Sequence, residues 1–389
     1  MKFFRVLTAV AMLWVALVVV SASAQAAAKQ YVVIVAEGLS PQVLELGESY
    51  LRVADEDAQA STSFDELKAA KTASASTDSL SQLQGLLEAA AKSGTKTGLV
   101  TTGDLTAVAP LFYDLKGDAA TALTSSTAKF DFLAGGGRAK LGAAAGEKIK
   151  AAGGSYLPNS AALDAGITGR VLAPQAESDL DYALDRDPET QAGLAELATL
   201  ALDTLGVNDT PFVLIIHDTL LKKALETRDS PALFEQFREL DSIMAEVSAR
   251  RDDNEDLAVA VLLTGGAITP RFSTKVEAEQ RSALRLLSHL PLSYAGAGRA
   301  LQGADADAIA AFADPADGPY QNWKPGADVI KQIAAGTLDP ETAIRAYFEP
   351  LVKIEYAAQT APPMAYVLGI EAPQGLTAAL KSAVAAPLK

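Results

Sequence analysis

The chain has 389 residues, with 33 Lys and Arg against 48 Asp and Glu, two His and no Cys, and a net charge of −15. That balance argues against nucleic acid and anionic membrane surfaces as partners, and it disfavours long-range capture of a highly anionic ligand. Without cysteine the fold must stand without disulfides, and two histidines are too few for a conventional zinc active site.

At the start, Lys2 and Arg5 precede an apolar run over residues 6–20, which ends in the small-residue stretch Ser21-Ala22-Ser23-Ala24-Gln25-Ala26. This pattern predicts a secretory signal peptide over residues 1–26, cut near Ala24 or Ala26. An uncleaved anchor is the alternative, for which the run is short, and no second run is long enough to span a bilayer. The expected location is periplasmic or secreted, with no membrane span after cleavage. The remaining chain of about 360 residues exceeds the usual single core, so one large α/β domain with insertions, or two domains, is expected.

Apolar β-branched runs then recur at 31–36 (YVVIVA), 97–101 (TGLVT), 211–216 (PFVLII) and 257–263 (LAVAVLL). Amphipathic helical patterns at 81–92, 191–205 and 232–250 separate them. Continuous apolar strands alternating with helices predict a doubly wound, mostly parallel sheet with helices on both faces. Asp187-Pro188-Glu189 and Asp339-Pro340-Glu341 each place an acidic cap before a first-turn Pro and predict helix starts. The principal domain is expected over 27–313. From 314 to 389 a Pro-broken segment, two helices (327–335, 341–353) and a strand (364–370) predict a cap or extension packed on that core. The acidic clusters Asp55-Glu56-Asp57 and 252–256 lack calcium-loop spacing and read as solvated loops.

In a parallel sheet the chemistry sits beyond the carboxyl ends of the strands. The residues there are Glu37-Gly38-Leu39-Ser40, His217-Asp218-Thr219 and Thr264-Gly265-Gly266, with Asp78-Ser79 ahead of the helix at 81–92. Ser79 reads either as a helix cap, as an anion-binding group or as a nucleophile, and the last needs a base or metal to activate it. Glu37 reads as the holder of one divalent ion or as a solvent-facing residue before a turn. His217, ending an apolar strand, reads as a hydrogen-bonded, half-buried side chain or as a ligand. Gly135-Gly136-Gly137 lacks the lysine and helix of a P-loop and reads as a tight-packing turn.

Seven segments in order resemble the alkaline phosphatase family: 31–51, KTASASTDSL at 71–80, 86–113, FDFLAGGGR at 130–138, YALDRDPETQAGLAELATLALDTL at 182–205, PFVLIIHD with the helix at 232–250 and LAVAVLLTGG, and LPLSYAGAG at 290–298. The resemblance implies phosphate-monoester hydrolysis by a serine at a helix head, with two zinc ions and a magnesium ion. Carried over position by position, the nucleophile falls on Ser79, with Asp78 beside it in the phosphate site, and the first metal aspartate falls on Glu37. The magnesium loop falls on Ala107 and Ala109, and the strand-end glutamate on His217. The next two ligands fall on Lys222 and Glu226. A paired Asp-His falls in Thr264-Gly265-Gly266-Ala267, and the last zinc histidine near Arg285, with His289 off register.

The losses thus cover nearly every metal-ligand position. Lys222 is expected to replace an ion's charge as a counter-ion to Glu226 or Asp218, or else to stand in water. No cofactor is expected, and at most one divalent metal ion near Glu37. The leading expectation is an exported pseudoenzyme that binds a small ligand or a protein partner. The alternatives are a weak phosphoric-ester hydrolase using Ser79 with a single ion, and a non-catalytic subunit, since fully equipped relatives form dimers and a homodimer is implied here.

Overall fold

The computed structural model describes residues 30–54, 62–75, 79–163 and 166–368. The signal-peptide segment, Asp55-Glu56-Asp57 and Asp78 lie outside the described residues. The strands are β1 (Gln30–Ala36), β2 (Lys71–Ser74), β3 (Lys96–Asp104), β4 (Phe132–Gly136), β5 (Ser155–Tyr156), β6 (Val171–Pro174), β7 (Phe212–Asp218), β8 (Leu257–Leu263), β9 (Gly266–Phe272), β10 (Ile354–Ala361) and β11 (Met364–Leu368). Nine form one sheet in the order β2-β11-β8-β1-β7-β3-β4-β6-β5, while β9 and β10 make a separate antiparallel ribbon. Within the sheet the ladders are parallel except those of β11, which runs against both β8 and β2. The mostly parallel sheet read from the sequence is the one found.

Strand β1 shows why its sequence is apolar throughout. All seven of its residues are buried. Val32, Ile34 and Ala36 join the core beneath the helices Pro41–Ala54, Leu194–Leu205 and Ser230–Asp253. Tyr31, Val33 and Val35 join the other core, beneath Ser79–Ser93 and Leu105–Phe112. A strand covered on both faces has no side that tolerates polar residues.

One of the two cap signals fails. Asp187-Pro188-Glu189 opens no helix; the Asp187 carboxylate accepts from the Glu189 amide (3.1 Å) and the Thr190 hydroxyl (3.0 Å), closing a turn. The Gln191 side chain ties that turn down, accepting from the Asp181 amide at 2.8 Å. The helix begins instead at Leu194, where Glu196 accepts from the Gly193 amide at 2.9 Å. Asp339 does cap, accepting from the Thr342 amide at 2.8 Å. The cluster at 252–256 ends the helix Ser230–Asp253 and docks on β1, with the Asn254 amide group donating to Gln30 Oε1 (2.9 Å). From the tail, β11 enters the main sheet between β8 and β2, and the helix Pro340–Val352 stacks Phe348 on Tyr294 (6.1 Å between ring centroids).

Candidate functional site

Strand register assembles the candidate site. Side by side in the sheet, β1, β7 and β3 pair Ala36 with Asp218, Val35 with His217, and Thr101 with His217. Their carboxyl ends therefore bring Glu37, His217, Asp218, Thr101 and Thr102 together. The helix Leu220–Thr227 follows β7 directly and returns Lys222 over the same edge.

His217 is completely buried, where the sequence suggested a half-buried side chain. Its Nε2 lies 2.7 Å from Glu37 Oε1, and because a carboxylate only accepts, Nε2 carries the proton. Its Nδ1 faces Thr101 Oγ1 at 3.3 Å, and that hydroxyl accepts from the Gly103 amide at 3.0 Å. The edge of Phe112 closes the ring's apolar side, 5.2 Å between centroids. The second carboxylate oxygen of Glu37 lies 3.5 Å from Lys222 Nζ. Burial alone would raise the pKa of Glu37, but the His217 hydrogen bond and the Lys222 charge outweigh it and hold the carboxyl below its usual range.

Lys222 therefore pairs with Glu37 and with neither residue expected from the sequence. Asp218 is turned inward: its Oδ1 accepts from the amides of Leu220 (2.7 Å) and Leu221 (3.4 Å) and from the Thr102 hydroxyl (3.1 Å). The first amides of a helix are orphan donors, and they claim a carboxylate placed just before them. Glu226 stands exposed on the same helix.

The pattern repeats along the edge. Asp104 caps the helix Leu105–Phe112 through the Thr106 amide (2.8 Å) and pairs with Lys140 (2.8 Å). Asp179 accepts from the Asp104 amide (3.1 Å) and pairs with Lys223 (3.3 Å). Three carboxylates along this edge, on β3, just after β1 and in the loop after β6, are thus each matched by a lysine. Sequence reasoning missed Thr101, Thr102, Asp104 and Asp179, which carry no local motif.

The other carried-over positions hold no ligand. Ala107 and Ala109 lie in the helix Leu105–Phe112. Thr264 donates no ligand atom outward; its hydroxyl accepts from the Gly38 amide at 3.0 Å. His289 caps the helix Glu277–Ser288, donating Nδ1–H to the Arg285 carbonyl at 2.7 Å. Gly135, Gly136 and Gly137 are there for closeness: a Cβ on Gly136 would sit 1.7 Å from the Ser178 carbonyl oxygen. Ser79 opens the helix Ser79–Ser93. The edge strand β2 that leads to it lies three strand positions from β1, roughly 14 Å at sheet spacing.

Zinc and magnesium do not fit these residues. Among the described residues no group of three or more His, Asp or Glu is arranged to hold a metal. Beside Glu37 the Lys222 ammonium already balances the carboxylate, so the pair leaves a dication little net attraction there.

The turn carrying Glu37 is itself constrained. Gly38 has φ +80°, and a Cβ there would lie 2.8 Å from Lys222 Cα. Gly38→Ala is expected to cost about 2–3 kcal/mol through left-handed strain and displacement of the Leu220–Thr227 helix. Urea unfolding checks it, and a loss below about 0.5 kcal/mol would show that the turn relaxes freely.

No family model matches the chain. A sequence relative, alkaline phosphatase 4 of Bacillus subtilis (strain 168), is 25% identical over 202 residues, covering 48% of this chain and 44% of the relative. The chain thus spans less than half the length of that curated relative. Among solved structures, a cold-active alkaline phosphatase from a psychrophilic Shewanella sp. superposes with a TM-score of 0.71 at 17% identity, over 87% of this chain and 94% of that one. The Thermus thermophilus alkaline phosphatase superposes with a TM-score of 0.69, also at 17% identity, over 87% and 85%. Related in sequence to one alkaline phosphatase and built on the fold of two others, the chain is an alkaline-phosphatase-like protein.

Proposed function

We propose that this protein is an exported pseudoenzyme of the alkaline phosphatase type, which keeps the scaffold and acts by binding a small ligand or a protein partner. The observation that carries this reading is the Glu37–Lys222 pair backed by His217. An ammonium stands where the resemblance puts a metal-binding carboxylate, so the edge is neutralised from within rather than by an ion. With its imidazole, His217, buried and committed to Glu37, the edge also offers no histidine base among the described residues to activate a serine. The signal-peptide pattern at residues 1–26 supports export, which N-terminal sequencing of the secreted product would test by a start near Gln25 or Ala27.

The purified protein is expected to contain no stoichiometric zinc and to leave an aryl phosphate unhydrolysed at alkaline pH. Ser79→Ala is expected to change nothing in that assay. A metal-dependent turnover that disappears in Ser79→Ala would overturn the proposal.

A further inference from the structure

The carboxyl edge of the sheet is not the only place prepared for a ligand. At the opposite end, before β3 and β4 begin, a cavity of about 490 Å³ opens between secondary-structure elements. Leu87 and Ala91 come from the last turns of the helix Ser79–Ser93, and Tyr113 and Leu115 follow the helix Leu105–Phe112. Ala122 on the helix Ala119–Thr124 and Phe130 before β4 complete the walls. The Tyr113 and Phe130 rings meet edge to face, 6.4 Å between centroids, and both belong to the second core. Strand β3 has nine residues, so roughly 27 Å of sheet separates this cavity from the Glu37 edge.

The charge around the cavity runs against that of the whole molecule. Lys116 is paired with Asp114 (2.7 Å) and Lys92 with Glu88 (3.9 Å), and all four line the mouth. Lys129, also in the lining, is exposed and makes no ion pair among the described residues. Behind the wall, the Arg170 guanidinium lies 4.8 Å over the Phe130 ring. Its Nη1 donates to the carbonyls of Ser125 (2.7 Å) and Ala128 (3.2 Å), both cavity-lining residues. Its Nη2 is buried with no acceptor, and no described carboxylate pairs with it. In a chain of net charge −15, the mouth thus has one lysine, Lys129, beyond the two ion-paired ones, with the Arg170 guanidinium behind the wall paired to no described carboxylate.

From this we infer that the cavity is a binding site for a small amphipathic monoanion, with an aliphatic or aromatic body and one carboxylate or sulfonate head. The body fills the Leu87–Phe130 interior, whose volume lies within the usual range for small-molecule sites, about 300–1,000 Å³. The head sits at the mouth beside Lys129, in the field of Arg170. Neither the Glu37 turn nor the fate of the metal centre enters the argument, so the site stands whether or not the edge is catalytically silent.

Decanoate and its neutral counterpart decanol, each titrated calorimetrically into the purified protein, test the assignment. One decanoate per chain is expected to bind saturably, about tenfold tighter than decanol. Lys129→Glu, at an exposed position that leaves folding intact, should bring decanoate down to the affinity of decanol. Ala122→Trp, which fills the cavity, should remove binding of both while the thermal midpoint stays within about 3 °C of the parent. If Ala122→Trp unfolds, the Lys129→Glu comparison decides alone. Absence of saturable binding, equal binding of the two probes, or decanoate binding untouched by Lys129→Glu would overturn the inference.

Discussion

Arg186→Ala is expected to lower the unfolding free energy by about 3–5 kcal/mol, because it strands a buried carboxylate. The Arg186 and Glu239 side chains are only 9% and 7% exposed and meet through two hydrogen bonds, at 2.7 and 3.2 Å. Glu239 also accepts from the Leu194 amide (2.7 Å), the first residue of its helix, and from Gln236 Nε2 (3.3 Å). That same Gln236 Nε2 reaches Asp218 at 3.4 Å, so the loss of Arg186 leaves two carboxylates facing one amide group. Lysine should restore less than half of the loss, since a point charge cannot reproduce the two-pronged geometry. The paired replacement Arg186→Met with Glu239→Gln should cost less than Arg186→Ala alone, because no charge is then buried without a partner. Urea midpoints of the three variants measure this; a loss below about 1 kcal/mol for Arg186→Ala would show the pair to be dispensable.

Mild acid is expected to stabilise the protein. Burial, with the Glu239 charge added, pushes Asp218 up to about 6, and burial pushes Asp229 up to about 6. Asp229 is held by the amides of Ala232, Tyr294 and Ala295, at 3.2, 3.2 and 3.0 Å, which join two helix starts but do not offset its desolvation. Both folded values lie above the unfolded value of about 3.9, so between these limits the native state binds more protons than the unfolded chain. Stability therefore rises as pH falls from about 6 towards 4, by up to about 3 kcal/mol for each aspartate.

Carboxyls held low have the opposite sign. Glu37, Glu48 and Asp104, lowered by their basic and hydrogen-bonding partners despite desolvation, add stability above the unfolded value and lose it below. Their loss sets in below about pH 4.5, so the maximum should lie near pH 5 rather than at neutrality. Asp218→Asn with Asp229→Asn should flatten the rise between pH 7 and 5. The effect of the overall negative charge, which acts in the same direction, would remain. A parent protein that loses stability steadily from pH 7 to 5 would refute the assignment.

What can be read along the chain is what depends on neighbours in the chain. The apolar runs that became β1, β7 and β8 were visible because strands buried on both faces admit few polar residues. The Asp339 cap was legible because its acceptor and donor lie three residues apart. Asp187 carries the same local signal and misleads, because Gln191 is drawn to Asp181 and holds the segment as a turn. Arg186 and Glu239 lie inside segments that resemble the family, yet nothing in either segment shows that they meet.

The sequence by itself determined that a conventional zinc centre has too few histidines to build it, that the sheet is mostly parallel, and that Glu37 and His217 lie at the carboxyl ends of strands. Only the tertiary structure decided that those two residues touch, that Lys222 turns to Glu37 rather than to Asp218 or Glu226, and that Asp104 and Asp179 each find a lysine. The reason is physical. Composition and periodicity are properties of one segment, whereas an ion pair between residues 185 apart exists only once the register of β1 on β7 and the return of the next helix have set the distance.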